Sequence, residues 1–121
     1  MYTVSVRRHF DAAHALRGYS GKCERLHGHR FEVVVSVQRR ELDRIGLALD
    51  YGIIKQALDA VLATLDHTNL SEVPPFDAEN PSSERLAAYI HDQMTVRLGG
   101  PIHQVQVFES PDAWVTYTPD D

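Results

Sequence analysis

Three histidines and one cysteine carry the first chemical signal in this chain. "CERLHGH", Cys23 to His29, sets the lone cysteine ahead of a His-x-His pair with three residues between. On an extended backbone, residues two apart point the same way, so His27 and His29 present both imidazoles to one face. Zinc sites use that geometry, and three neutral imidazoles with an open fourth position form a catalytic centre. His14 is in phase with the apolar residues of the preceding strand pattern and is the candidate third ligand. The competing reading is a pair of exposed or structurally bonded imidazoles. Cys23 has three readings. It closes a structural Cys-His₃ site, it is a free thiol with a pKa lowered by a neighbouring cation, or it is an inert small apolar residue. Its charged neighbours Lys22, Glu24 and Arg25 argue against burial.

A second group mixes acids with histidine. "LDHTNL", Leu65 to Leu70, sets Asp66 beside His67. Such a pair can orient an imidazole for proton transfer, or merely finish a helix. Glu84 falls in the first turn of a predicted helix, where a carboxylate complements the macrodipole. Glu109 shares the parity of Val105 and Val107, and a carboxylate on a buried face needs a partner. That partner is either a salt bridge at a strand end or a ligand edge with two adjacent N–H groups.

Strand and helix patterns position these residues. Val4, Val6, Phe10, Ala12 and His14 share one parity of a long strand, interrupted by Arg8. Phe31, Val33, Val35 and Val37 define a second strand, and the same parity extended backwards reaches His29 and His27. Asp50 is a predicted N-cap for a helix carrying Ile54, Leu58, Val61, Leu62 and Leu65. The stretch from Asp66 to Ser83 reads as a loop rich in Pro, Asn and Ser. A second helix carries Leu86, Ala87, Ile90, Met94 and Leu98 and ends at Gly99-Gly100-Pro101. Val105 and Val107 begin a third strand, and Ala113 to Thr118 form a fourth. The order β-β-α-α-β-β predicts an α+β domain over residues 1–121: one antiparallel sheet with both helices on one face.

Composition excludes several classes. The 121 residues hold 12 basic and 17 acidic side chains, a net charge of −5, with no block of like charge. Nucleic acid and anionic membrane surfaces are therefore poor partners. A hydrophobic content of 43% suffices for a core without staples. A single cysteine forms no internal disulfide, and no long apolar run or signal peptide is present. A soluble cytoplasmic protein is expected.

Taken in order, "FDAAH" (Phe10 to His14), "CERLHGH", "LDHTNL", "NPSSE" (Asn80 to Glu84) and "FES" (Phe108 to Ser110) resemble the 6-pyruvoyl-tetrahydropterin synthase / 6-carboxytetrahydropterin synthase family across nearly the whole chain. Each block alone is weak; five in register are specific. The resemblance implies the tunnelling fold (T-fold), with sheets of adjacent subunits closing an oligomeric barrel, and a homo-oligomer that is a trimer or a dimer of trimers. It further implies that His14, His27 and His29 hold Zn²⁺ and that Cys23 is the catalytic thiol, with Asp66 and His67 as its relay partners. Glu109 would anchor the pterin edge. Ser82, Ser83 and Glu84 would help line the substrate site from a neighbouring subunit. The implied substrate is 7,8-dihydroneopterin triphosphate.

Within the family, the spacing Cys-x-x-x-His-Gly-His resembles the carboxy synthases of queuosine and 7-deazapurine biosynthesis. Pyruvoyl synthases resemble a longer insert there, and a folate-linked branch carries glutamate at or near the cysteine position. The expected activity is thus a zinc-dependent carbon–carbon lyase releasing acetaldehyde and triphosphate. Alternatives are triphosphate elimination to the pyruvoyl product, or a zinc-stabilised pterin-binding module without turnover. Ser82 and Ser110 stand where the family commonly has threonine.

Overall fold

The computed structural model describes residues 1–21 and 24–120. Two long strands, β1 (Tyr2–His14) and β2 (His27–Arg39), lead into helix α1 (Tyr51–Ala63). A two-residue strand β3 (Thr68–Asn69), a 3₁₀ turn (Leu70–Glu72) and helix α2 (Ser83–Leu98) follow, then β4 (Gln104–Ser110) and β5 (Ala113–Tyr117). The sheet runs in the order β3-β1-β2-β4-β5.

Alternating side chains create one apolar face. Val6, Phe10, Phe31, Val33, Val35, Val37, Val105 and Val107 are buried there. The β1–β2 register sets Phe10 opposite Phe31, Ala12 opposite His29 and His14 opposite His27. The apolar face therefore passes into an imidazole-lined end with no change of parity. Arg8, the interruption in the β1 pattern, reaches to the edge of the helical layer, where its Nε donates to Asp59 Oδ1 at 2.9 Å.

Both helices close over this face with the residues their 3.6-residue period predicts. Helix α1 buries Ile54, Leu58, Val61 and Leu62. Asp50 caps it, its carboxylate accepting the Gly52 N–H at 2.8 Å. Helix α2 buries Leu86, Ala87, Ile90 and Met94. Ser82 caps that helix by accepting the Arg85 N–H at 3.2 Å. Gly99 ends it at φ 68, the left-handed conformation that a Cβ disfavours.

The β-β-α-α-β-β arrangement expected from the order of elements is present, with two additions. The segment from Asp66 to Ser83 is not wholly loop. Thr68–Asn69 pairs in parallel with Ala12–Ala13, so the sheet is mixed, although its four long strands run antiparallel. The β4–β5 register also shifts between Phe108 and Ser110. Glu109 sits in that irregularity and is half-buried rather than fully inside as strict alternation predicts. Two residues of β3 cover only the end of β1. Among the described residues, most of the outer edge of β1 and that of β5 are unpaired.

Candidate metal centre and its surroundings

His14, His27 and His29 converge at the end of the β1–β2 ladder, with ligand nitrogens all within 4.8 Å of one another. The ring centroids are 4.6 Å apart for His14–His27, 5.1 Å for His14–His29 and 4.7 Å for His27–His29. Phe31 braces two of them edge-on, 5.2 Å from His14 and 5.5 Å from His29, and itself stacks on Phe10 at 5.0 Å.

The hydrogen bonds assign the nitrogens. His14 Nδ1–H donates to the Pro81 carbonyl at 2.8 Å, and His27 Nδ1–H donates to the Arg25 carbonyl at 2.6 Å. Each bond leaves the Nε2 lone pair of its ring for another partner, the arrangement that outer-sphere carbonyls impose on metal-binding histidines. Nε2 of His14 and of His29 is buried without a hydrogen-bond partner among the described residues. An orphaned buried nitrogen is costly, and two aimed at one point fit a cation there. Burial pushes the His14 pKa below 6.5, and the neighbouring His27 and His29 push the same way, against the Pro81 bond and the Glu109 charge. The neutral ring is the ligating form. An all-nitrogen donor set suits zinc and several other transition metals.

Glu109 and α2 adjoin this centre. Ser83 Oγ donates to Glu109 Oε1 at 2.8 Å, so the carboxylate has the partner its position demands. Ser83, Glu84 and Glu109 line a cavity of about 180 Å³ with Trp114. Three of the residues predicted for substrate binding thus share one pocket. Ser82 does not join them. Its hydroxyl caps α2, and it lines a separate cleft with Arg17 and Arg85.

Asp66 and His67 form the expected pair, held by the backbone of β1. The Asp11 N–H donates to Asp66 Oδ1 at 2.9 Å, and the His67 N–H donates to the Asp11 carbonyl at 2.6 Å. His67 Nδ1 meets Asp66 Oδ2 at 2.9 Å. The Asp11 N–H chiefly, helped by His67, holds the Asp66 carboxyl below its ordinary 3.8. His67 has φ 57, a left-handed backbone that a non-glycine residue adopts only where surroundings enforce it. That conformation lets adjacent side chains meet, the turn that an Asp–His dipeptide requires. Ligand atoms of Asp11, Asp66 and His67 lie within 4.8 Å of one another, in a group separate from the three histidines. Asp11 alternates with Ala12 and Phe10, so its side chain leaves β1 on the face opposite His14. Arg30 Nε donates to Asp11 Oδ1 at 3.1 Å on that face, and the carboxylate raises the Arg30 pKa. One chain therefore does not bring the pair and the imidazoles to the same side of β1.

Cys23 lies outside the described residues. Asp11 and Pro81 are the positioning groups that motif reading missed. Each acts through its backbone, so residue type carried no signal.

An imidazole-lined centre at the end of a strand pair, beneath two helices, defines a candidate metalloprotein of the α+β class. Comparison with known proteins is more specific. The profile of the 6-pyruvoyl tetrahydropterin synthase family matches residues 3–120. A 6-carboxy-5,6,7,8-tetrahydropterin synthase from Synechocystis is 33% identical over 115 residues, covering 91% of this chain and 88% of the relative. A dihydroneopterin monophosphate aldolase from Pyrococcus furiosus is 34% identical over 99 residues, covering 82% of this chain and 80% of its own. The structure of Caenorhabditis elegans 6-pyruvoyl tetrahydropterin synthase superposes with a TM-score of 0.84 at 29% identity, over 99% of this chain and 98% of that one. This chain belongs to the 6-pyruvoyl tetrahydropterin synthase family. Its fold is the tunnelling fold of that family.

Proposed function

We propose that the chain is a single-domain zinc-dependent 6-carboxytetrahydropterin synthase acting in queuosine or 7-deazapurine biosynthesis in the cytoplasm. It converts 7,8-dihydroneopterin triphosphate and water to 6-carboxy-5,6,7,8-tetrahydropterin, acetaldehyde and triphosphate. The observation that carries the reading is the trio of imidazoles with two buried, unpartnered Nε2 atoms. It lies close enough to Glu109 for that carboxylate's charge to act on His14. His14, His27 and His29 hold the metal, which when bound supplies Lewis-acid polarisation of a hydroxyl oxygen. Glu109, oriented by Ser83, accepts two N–H groups from the pterin edge, with Glu84 beside it. Cys23 takes and returns protons at the side-chain carbons, and His67, oriented by Asp66, exchanges them with it. The pair faces away from its own chain's imidazoles, so it serves the centre of a second copy. The active unit is thus a homo-oligomer, trimer or dimer of trimers, joined through the open edges of β1 and β5.

The three residues between Cys23 and His27 favour the carboxy product over the pyruvoyl one. The likeness to the C. elegans enzyme supports the second reading, triphosphate elimination by the same residues. Incubating zinc-loaded protein with 7,8-dihydroneopterin triphosphate separates them. Acetaldehyde equimolar with a 6-carboxy product is expected; a pyruvoyl product without acetaldehyde overturns the assignment. Failure to turn over any pterin triphosphate would leave a pterin-binding module.

A further inference from the structure

A cleft of about 350 Å³ opens beside the histidine centre, lined by Arg17, Tyr19, Asn80, Ser82 and Arg85 among others. None of the described residues lining it is acidic, in a chain of net charge −5. Neither guanidinium forms an ion pair with a described residue, whereas Arg7, Arg8 and Arg30 each do. The walls are built rather than incidental. The Arg17 N–H donates to Asn80 Oδ1 at 2.9 Å, and Asn80 Nδ2 donates back to the Arg17 carbonyl at 2.8 Å. Arg17 Nη2 also donates to the Phe76 carbonyl at 3.0 Å, which fixes the side chain while its other side-chain N–H groups have no partner among the described residues.

The cleft is tied directly to the metal centre. Arg17 stands three residues beyond His14. Pro81, whose carbonyl orients His14, lies between the cleft residues Asn80 and Ser82. Two planar guanidiniums and a phenol facing one cavity match the oxygens of an oligophosphate, which arginine binds in bidentate fashion.

We propose that this cleft binds the oligophosphate tail of the substrate, with Arg17 and Arg85 as its principal ligands. The assignment rests on the function proposed above for the identity of the ester, but the anion site can be tested independently. Calorimetry with inorganic tripolyphosphate at fixed ionic strength, on the full chain, is the direct measurement. Arg85→Gln is the primary variant, because its exposed side chain makes no hydrogen bond within the described residues and the fold does not depend on it. Losing one charge-assisted contact set should weaken tripolyphosphate about ten- to hundredfold. Arg17→Gln should weaken it comparably, and binding of phosphate-free 7,8-dihydroneopterin should be unchanged in Arg85→Gln. The His29→Ala variant should retain tripolyphosphate binding, which separates the cleft from coordination by the metal. Wild-type affinity in both arginine variants, or no binding to the wild-type chain, overturns the proposal. If the arginine variants lose tripolyphosphate yet the wild type turns over no pterin triphosphate, the cleft stands and the proposed reaction falls.

Discussion

Replacing His29 by alanine tests the metal centre through stability as well as composition. In the metal-free chain, His29 buries an Nε2 without a partner, a penalty of roughly 1–3 kcal/mol. Its edge contact with Phe31, at 5.5 Å, returns roughly 0.5–1.5 kcal/mol, and truncation also gives up some apolar burial. The terms nearly offset, so the metal-free variant should melt close to the metal-free wild type. The zinc-loaded proteins should differ sharply. Ligand at a hundred times its dissociation constant stabilises a fold by about 2.7 kcal/mol. For a chain of this size that is roughly 10 °C in Tm. Thermal melts with and without zinc, paired with metal analysis of the dialysed proteins, give the answer. The wild type should hold one zinc per chain and show the shift, whereas His29→Ala should show neither. A variant that keeps stoichiometric zinc and its thermal response refutes the three-imidazole site. A metal-free variant destabilised by several kcal/mol refutes the claim that the unpartnered nitrogen is a cost in the empty centre.

Further outcomes follow from particular contacts. Phe10→Ala removes a fully buried ring stacked on Phe31 and should cost about 3–5 kcal/mol by chemical denaturation, with weaker zinc binding because Phe31 braces two ligands. His67→Gly relieves a left-handed non-glycine backbone at the expense of a mostly exposed contact with Asp66, so stability should rise by about 1 kcal/mol while turnover collapses. Unchanged turnover would remove His67 from the relay. The metal-free chain should lose stability as pH falls through 6.5, since the unfolded chain then protonates His14 while the folded one, with its lowered pKa, does not. A second decline should begin near pH 4 as the unfolded chain protonates Asp66, and should continue as pH falls through that residue's depressed folded pKa. Denaturation midpoints across pH measure both, and His14→Gln should flatten the first.

Much of this architecture is written in local periodicity. Strand alternation put His14, His27 and His29 on one face, because parity survives whatever the rest of the chain does. Helical spacing and the caps at Asp50, Ser82 and Gly99 marked α1 and α2, because those signals act within a turn of backbone. The five motif blocks identified the family for a similar reason: residue type and order are all that such a comparison needs.

Only the tertiary structure decided what depends on backbone groups distant in sequence. The parallel pairing of Thr68–Asn69 with Ala12–Ala13 joins segments more than fifty residues apart, and two residues are too few for any periodic signal. That same pairing sets Asp66 and His67 against the Asp11 amide and carbonyl, which every residue type offers equally. It also groups them with the Asp11 carboxylate, on the side of β1 away from the imidazoles. Glu109 shows the limit of parity. A bulge near the end of β4 leaves it half-buried and within reach of Ser83, where alternation alone would have put it fully inside. Sequence determined which groups could do chemistry. The packing of loop against strand decided which of them face one another, because that is set by hydrogen bonds the side-chain pattern does not encode.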